Sequence, residues 1–294
     1  MADSDALGVP RTVQLPKGTV AYRECGDGPP VVFVHGLLVN ADLWRAVVPP
    51  VAAAGHRCLA PDWPLGAHRH PMGPRADLSP PGLAALIADF LTALDLTDVT
   101  LVANDTGGAL VQVLMARHPE RIGRVVLASC DSLEVFFPSP FHLLPAVAAL
   151  PGSTWLLVQV LRLRSLHPLP IAFGLLAKRP IPRHVMDSYL RPARHDPAIR
   201  RDLRRFLRGV HRRHTLAAAR SFGDFHRPVL LAWAEEERLF PVSLARRLAG
   251  LLPDARLALV ADSRTFIPED RPGELAALVV EFARTGGAAP SPGR

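Results

Sequence analysis

An apolar segment of the chain turns abruptly into a helix at Asp105. Leu101–Ala103 are apolar, Asn104–Gly108 place mostly small residues around Asp105, and Ala109–Ala116 have helical character. A sharp strand–turn–helix needs small residues beside its central side chain, because the turn crowds the neighbouring backbone. It exposes that side chain at a helix N-terminus, where backbone N–H groups favour negative charge. The pattern therefore predicts a functional carboxylate at the end of a buried strand.

Short apolar or β-branched segments alternate with helical segments along most of the chain. Several of them are continuously apolar, as strands buried on both faces are. The alternation predicts βαβ units and an α/β fold with a mostly parallel sheet. The predicted strands are Thr19–Arg23, Val31–Val34, Arg57–Ala60, Val99–Ala103, Val125–Ala128, Val229–Trp233 and Arg256–Val260.

The alternation stops between residues 133 and 222, where helical segments are separated by proline-rich turns. An all-helical insertion between two strands of a parallel sheet suggests a lid over the carboxyl edge of the sheet, where such sheets bind ligands. We therefore predict a core formed by residues 1–132 and 223–294 and a helical cap formed by residues 133–222. Apolar residues of the cap would line a pocket. Residues 1–10 and 285–294 are predicted to be disordered.

Composition excludes several classes of protein. The 294 residues are 49% hydrophobic and 21% charged, which excludes a wholly disordered or fibrous chain. Cys25, Cys58 and Cys130 show no CxxC pairing, which argues against a disulfide framework and a cysteine-rich zinc site. The first residues lack the pattern of a secretory signal, and no uncharged apolar segment has membrane-spanning length. We therefore expect a soluble cytoplasmic protein, monomeric or homodimeric, without a membrane partner.

The formal net charge of +7 raises the question of a nucleic-acid partner. All of the 34 basic residues except Lys17 and Lys178 are arginine, and the densest basic stretch is Arg191–Arg213. A nucleic-acid-binding interpretation needs a recognisable module with aromatic residues or a groove-entering helix. Leu203 and Phe206 instead recur at helical spacing within this stretch, which indicates arginines on the solvated face of an amphipathic helix. We expect no nucleic-acid partner, and contact with an anionic substrate stays open.

Four motifs in a fixed order carry a family resemblance. They are a buried strand ending in His35-Gly36, the turn around Asp105, a strand followed by acids in Pro228–Pro241, and Val260–Glu269 before the last helix. With the helical insertion between the second and third motifs, nearly the whole chain resembles the α/β-hydrolase superfamily. Because an aspartate occupies the central position of the turn, the chain looks most like the haloalkane dehalogenase and epoxide hydrolase branch.

The resemblance implies roles for individual residues. Asp105 matches the nucleophile and Glu237 the acid of a catalytic triad, while the backbone N–H groups of Leu37 and Thr106 match the oxyanion hole. In that branch the aspartate attacks carbon, and a histidine with its acid partner activates water to hydrolyse the ester. His35 matches the oxyanion loop and is not interpreted as a base. The resemblance implies an apolar small-molecule substrate, and we expect neither a cofactor nor a metal ion.

The sequence also departs from the branch. Thr265 stands where the family has its catalytic histidine. Thr106 stands where a dehalogenase has the tryptophan after the nucleophile, and Leu38 where an epoxide hydrolase has a proline. An epoxide hydrolase also has two lid tyrosines, whereas Tyr189 is the only tyrosine of the predicted cap. Neither named activity is therefore implied intact.

Another histidine would be needed to activate water. The candidates are His68 and His70, in the loop after a predicted strand, and His142 at the start of the cap. Each is interpreted first as an ordinary loop histidine, because no spacing to a partner singles one out. His68 and His70 could form an HxH zinc pair, but no third ligand is evident.

The alternative is that Asp105 exchanges protons and never bonds to carbon. Asp105 and Glu237 in one apolar cleft would have raised pKa values, because burial and like charge both disfavour ionisation. Such a pair could open an epoxide, or assist cyclisation, isomerisation or C–C coupling, as some proteins of this fold do in natural-product pathways. Asp131 could join them, or serve as a helix N-cap or loop residue. A ligand-binding protein without catalysis is the third hypothesis.

Overall fold

The computed structural model describes residues 5–167, 169 and 172–285. Eight strands form one sheet in the order β1-β2-β4-β3-β5-β6-β7-β8. Strand β2 is antiparallel to both of its neighbours, and the pairings from β4 to β8 are parallel. The strands are β1 Val9–Leu15, β2 Gly18–Cys25, β3 Pro30–Val34, β4 Arg57–Pro61, β5 Val99–Asp105, β6 Ile122–Cys130, β7 Val229–Ala234 and β8 Ala255–Val260.

All seven predicted strands are confirmed. The central strands are buried on both faces, as is typical of a parallel sheet. Every residue of β5 and of β7 is buried, so helices cover both faces of the sheet there. The eighth strand, β1, pairs with β2 at the sheet edge and is exposed along most of its length. The predicted disorder is therefore wrong for residues 5–10, where the buried side chain of Leu7 precedes β1, and for Thr285, which ends the last helix. Residues 1–4 and 286–294 lie outside the described residues.

Eleven α-helices complete the described part of the chain. In α2, the Ser79 hydroxyl accepts a hydrogen bond from the Gly82 N–H, and two prolines follow at the first helical positions. Within the described ranges, no helix is long and apolar enough to cross a membrane. The helices are α1 Val48–Ala53, α2 Pro80–Ala93, α3 Thr106–Arg117, α4 Leu144–Val147, α5 Ser153–Leu161, α6 Arg183–His195, α7 Pro197–Gly209, α8 Arg213–Ala219, α9 Val242–Ala249, α10 Ile267–Asp270 and α11 Pro272–Thr285.

The segment between β6 and β7 holds α4 to α8 and, where the structure describes it, no strand of the sheet. It is therefore helical as the sequence indicates, while the cap boundaries at residues 133 and 222 stay a prediction. The arginine-rich stretch lies on α6 and α7, and Leu203 and Phe206 of α7 are fully buried. An amphipathic helix is thus confirmed for the basic stretch.

A buried carboxylate joins α7 to the core. Asp202 Oδ2 accepts a hydrogen bond from the Met72 N–H at 2.7 Å and lies 3.5 Å from His68 Nε2. Its other oxygen lies 3.2 Å from the Arg201 guanidinium. His68 and Met72 lie in the loop after β4, so the Asp202 carboxylate fixes α7 against that loop. Burial alone raises the pKa of Asp202, but its hydrogen bonds outweigh burial and leave the pKa lowered.

Candidate active site

Asp105 is the last residue of β5 and directly precedes α3. Its backbone angles, φ 54° and ψ −133°, lie in a region that non-glycine residues rarely occupy, which costs about 1–3 kcal/mol. The following glycines are required by close contacts. A Cβ on Gly107 would lie 2.3 Å from the Val34 carbonyl oxygen, and one on Gly108 would lie 2.3 Å from Cys130 Cβ. Crowding at the turn therefore explains the small residues after Asp105.

The oxyanion-hole positions lie where the resemblance implied. A Cβ on Gly36 would lie 2.0 Å from Asp105 Oδ2, so only glycine permits the loop after β3 to approach this closely. The Leu37 N–H donates a hydrogen bond to Asp105 Oδ2 at 3.3 Å, and the Thr106 N–H also interacts with the carboxylate. Two backbone donors thus hold the Asp105 side chain in place.

Burial is the main cause of the raised pKa of Asp105, which is about 6. The negative charge of Glu237 raises this pKa further, while the N–H groups of Thr106 and Leu37 oppose the shift. A carboxylate with a pKa near 6 can accept a proton at neutral pH and return it at little cost.

Glu237 follows β7, and its side chain interacts with the side chains of Thr265 and Ser129. The Thr265 hydroxyl donates a hydrogen bond to Glu237 Oε1 at 2.7 Å. The same oxygen accepts from the Leu239 N–H at 2.9 Å, while burial raises the pKa of Glu237. Asn104, for which the sequence suggested no role, fixes this contact, because its side-chain amide donates to the Thr265 carbonyl at 2.7 Å. A threonine hydroxyl therefore takes the place of an imidazole beside the acid.

Asp131 follows β6 and forms a third buried carboxyl group. Its Oδ2 accepts a hydrogen bond from the Thr106 hydroxyl at 3.2 Å, and its Oδ1 is buried without a hydrogen-bond partner among the described residues. Burial and the nearby charge of Asp105 raise the pKa of Asp131 well above its ordinary value. No described helix begins at Asp131, so the suggested N-cap role is wrong. The residue contacts the site through Thr106.

His35 cannot act as a base at this site. Its Nε2 accepts a hydrogen bond from the Trp63 N–H at 2.8 Å, which requires the neutral ring. Its Nδ1 then donates to the Gly36 carbonyl at 2.9 Å. Burial lowers the pKa of His35 to about 4, so the ring stays neutral and supports the loop that carries Leu37.

The histidines considered as substitute bases lie away from Asp105. His68 is buried, with Nε2 facing Asp202 and Nδ1 accepting from the Gly66 N–H at 3.4 Å. His70 and His142 are exposed. None of the three lines the cavity beside Asp105. Across the residues with known placement, no cluster of three potential metal ligands occurs, which gives no support to the zinc pair.

Tyr189 is also bound elsewhere. Its hydroxyl donates a hydrogen bond to Glu269 Oε1 at 3.2 Å, and Glu269 pairs with Arg45 at 2.6 Å. The ring is fully buried and does not line the cavity beside Asp105. Tyr189 therefore connects α6 of the insertion to the core, and its suggested auxiliary role at the pocket receives no support.

An apolar cavity of about 80 Å³ lies over Asp105. Asp105 is the only ionisable side chain among its described lining residues. The cavity is smaller than the roughly 300 Å³ of typical ligand pockets, so a substrate of more than a few atoms requires its walls to move apart. The walls that the sequence did not single out come mostly from the insertion; the lining residues are Leu37, Leu38, Thr106, Phe137, Pro138, Phe141, Leu144, Leu157, Leu161, Ala172, Phe173, Leu176 and Leu239.

Comparison with known proteins places this arrangement in a family. The family described as "alpha/beta hydrolase fold" matches residues 29–272. A haloalkane dehalogenase of Mesorhizobium japonicum is 40% identical over 116 residues, which are 38% of this chain and 37% of that protein. A non-heme chloroperoxidase of Kitasatospora aureofaciens is 38% identical over 99 residues, 34% of this chain and 35% of that protein. The chain thus matches little more than a third of the length of these curated relatives.

Solved structures show the same fold over nearly the whole chain. Haloalkane dehalogenase DbeA of Bradyrhizobium elkani superposes with a TM-score of 0.76 at 21% identity, covering 94% of this chain and 97% of that one. A mutant of haloalkane dehalogenase DatA of Agrobacterium tumefaciens gives 0.77 at 21% identity, covering 95% and 99%. The resemblance to the superfamily inferred from the four motifs is confirmed. The chain belongs to the α/β-hydrolase superfamily.

Proposed function

We propose that this α/β-hydrolase is an enzyme that moves protons on an apolar small molecule, with Asp105 as the acid/base group and without a covalent ester. The reaction class includes epoxide opening, cyclisation, isomerisation and C–C coupling. The observation that carries the proposal is the 2.7 Å hydrogen bond between Thr265 and Glu237. A threonine hydroxyl is far too weak a base at neutral pH to activate water, and no histidine of the described chain lines the cavity.

Three buried carboxyl groups support proton transfer. Asp105 faces the cavity and has a pKa of about 6, which suits a base at neutral pH. Burial and the nearby charge of Asp105 raise the pKa of Asp131, which favours its protonated form. The Thr106 hydroxyl contacts Asp131 and also interacts with the Asp105 carboxylate, so it provides a path along which a proton can pass between them. The negative charge of Glu237 raises the proton affinity of Asp105.

The cavity supports an apolar substrate. Apart from Asp105 and Thr106, its walls consist of aliphatic, aromatic and proline side chains, with Leu157 and Phe173 among them. Such walls bind hydrocarbon surface and exclude water, which keeps the proton affinity of Asp105 high.

Nucleophilic attack by Asp105 is the second candidate, and the two N–H donors to its carboxylate favour it. They would hold the carboxylate in place while one of its oxygens attacks carbon, as in the related dehalogenases. Without an imidazole, however, the resulting ester would persist after a single turnover. Thr106 also replaces the tryptophan that would receive a halide.

Intact-protein mass spectrometry after incubation with small epoxides and alkyl halides separates the two mechanisms. We expect no adduct on the wild-type protein. A stable, stoichiometric alkyl group on Asp105 would establish the nucleophilic mechanism instead. Under the nucleophilic mechanism, Thr265→His should hydrolyse the ester and release the adduct. Under the acid/base mechanism, the same variant should not increase the activity.

Deuterium exchange at the α-carbon of small apolar ketones in D₂O measures proton transfer directly. We expect exchange with the wild-type protein and loss of at least 100-fold in Asp105→Asn, because general-base catalysis contributes about 10²–10⁴-fold. The matched control is Asp224→Asn, an exposed residue at the end of the short 3-10 helix Phe222–Asp224. Equal exchange rates in wild type and Asp105→Asn, or no exchange in either protein, would contradict proton transfer by Asp105 and leave nucleophilic attack and ligand binding without catalysis.

A further inference from the structure

The segment that covers the cavity carries an unusual amount of exposed apolar surface. Eight of the twelve large apolar side chains that are exposed in the described chain lie between Leu143 and Leu169. Leu150, Leu156 and Leu143 are 61%, 58% and 58% exposed. We define the lid patch as the seven of these residues on and beside α4 and α5: Leu143, Val147, Leu150, Trp155, Leu156, Val160 and Leu163.

The same helices are apolar on their inner side. Leu144 of α4 and Leu157 and Leu161 of α5 line the cavity over Asp105. A helix at a protein–water boundary normally places polar residues on its outer face. A helix that is apolar on both faces, with one face open, indicates an apolar environment outside the protein as well.

Positive charge surrounds the lid patch. The sequence contains no Asp or Glu between Glu134 and Asp187. Arg162, Arg191 and Arg194 line one surface cavity beside Leu161 of α5, where Asp187 is the single acidic residue of the described lining and the three arginines leave an excess of positive charge. The Arg204 guanidinium donates hydrogen bonds to the carbonyls of Ala148 and Ala149, between α4 and α5. The patch therefore combines exposed apolar side chains with a rim of arginines.

We propose that the lid patch docks onto the surface of an anionic lipid bilayer, from which the apolar substrate reaches the cavity over Asp105. Helices with an apolar face and an arginine-rich border bind at such surfaces by hydrophobic burial and charge attraction. Trp155, which is 52% exposed, is the residue type found at the headgroup level. The sequence predicted no membrane partner because it shows neither a secretory signal pattern nor a membrane-spanning segment. Docking on a membrane surface requires neither of them.

Charge favours a bilayer over a second copy of this chain. Pairing two lid patches would bring two arginine rims together, and like charges within a Debye length repel. An anionic lipid surface instead attracts each arginine by about 1 kcal/mol, equivalent to a fivefold change in affinity. The route for the substrate rests on the proposed function, whereas docking itself does not.

Trp155 gives a direct measurement, because Trp44, Trp63 and Trp233 are at most 1% exposed. Vesicles of phosphatidylglycerol and phosphatidylcholine should shift the fluorescence of the protein to shorter wavelength, and brominated lipids should quench it. Pure phosphatidylcholine vesicles should bind at least tenfold more weakly.

In flotation with the mixed vesicles, Leu156→Asp with Val160→Asp should lower the bound fraction at least tenfold, and Arg194→Gln should lower the affinity about fivefold. The matched control, Leu251→Asp, changes an exposed leucine of the core (43%) and should bind as wild type.

Absence of a spectral shift with mixed vesicles would overturn the proposal. Equal binding of the double variant, Leu156→Asp with Val160→Asp, and of the control Leu251→Asp would overturn it as well. Concentration-dependent dimers in sedimentation, dispersed by Leu156→Asp, would assign the patch to a second copy. Asp105→Asn should bind vesicles as wild type does. The vesicle experiments can therefore contradict docking while the exchange experiment supports proton transfer, and the opposite result is equally distinguishable.

Discussion

The two halves of the helical insertion are attached to the core by different forces. The half with α6 and α7 is fixed by directional contacts of buried polar groups: Asp202 with Met72, and Ser188 with Asp42 at 2.6 Å. The half with α4 and α5 is held mainly by apolar packing, with Arg204 as its polar tie. Apolar packing is non-directional, so this half can shift at the cost of few specific bonds, the Arg204 hydrogen bonds to Ala148 and Ala149 among them. The cavity of about 80 Å³ can therefore enlarge on one side while the other stays fixed.

Asp202→Ala should test the anchored half and have the largest effect on stability. It leaves buried His68 without its carboxylate and removes the acceptor of the Met72 N–H. We expect the free energy of unfolding in urea to fall by about 3 kcal/mol, as when one partner of a buried pair is removed. Asp196→Ala, at the N-cap of the same helix, is the control and should cost about 1 kcal/mol. Equal losses in both variants would show that Asp202 is no special anchor.

Asp105→Asn should test how well the apolar half excludes water from the cavity. Burial raises the pKa of Asp105 from 3.8 to about 6, so the ionised carboxylate destabilises the folded state. The penalty is absent below pH 3.8, grows as the pH rises, and is complete above pH 6. The variant should therefore gain about 2–3 kcal/mol over wild type at pH 7 and nothing at pH 3.5. Urea unfolding at several pH values measures this difference, and a difference independent of pH would contradict it.

The apolar half itself should tolerate change best. Leu156→Gln replaces an exposed side chain of α5 and should alter the free energy of unfolding by less than about 0.5 kcal/mol. Amide hydrogen exchange should be faster in α5 than in α7, because segments with few buried polar contacts open locally more often. Equal protection of the two helices would mean that both halves open together.

Local crowding and burial explain why so much of the core could be predicted from the sequence. The turn around Asp105 requires small residues at Gly107 and Gly108, and the strands beside it must be apolar on both faces. These constraints act on neighbouring residues, so a pattern records them. The contact between Glu237 and Thr265 was implied by the family resemblance, since both occupy family positions.

The contacts missed by sequence reasoning join residues far apart in the chain. His68 and Asp202 are separated by 134 positions, and neither carries a local signal of the other. Strand β1 is an exposed edge strand, so it lacks the apolar alternation that identified the others. The lid patch is visible only in three dimensions, because its residues have the composition of an ordinary buried helix.

The positions of Asp131 and Glu237 have an evolutionary consequence. They follow β6 and β7, which are adjacent in the sheet, so two strand ends each supply an acid to one site. A lineage that carries both acids can lose either by a single substitution while a carboxyl group remains near the turn at Asp105.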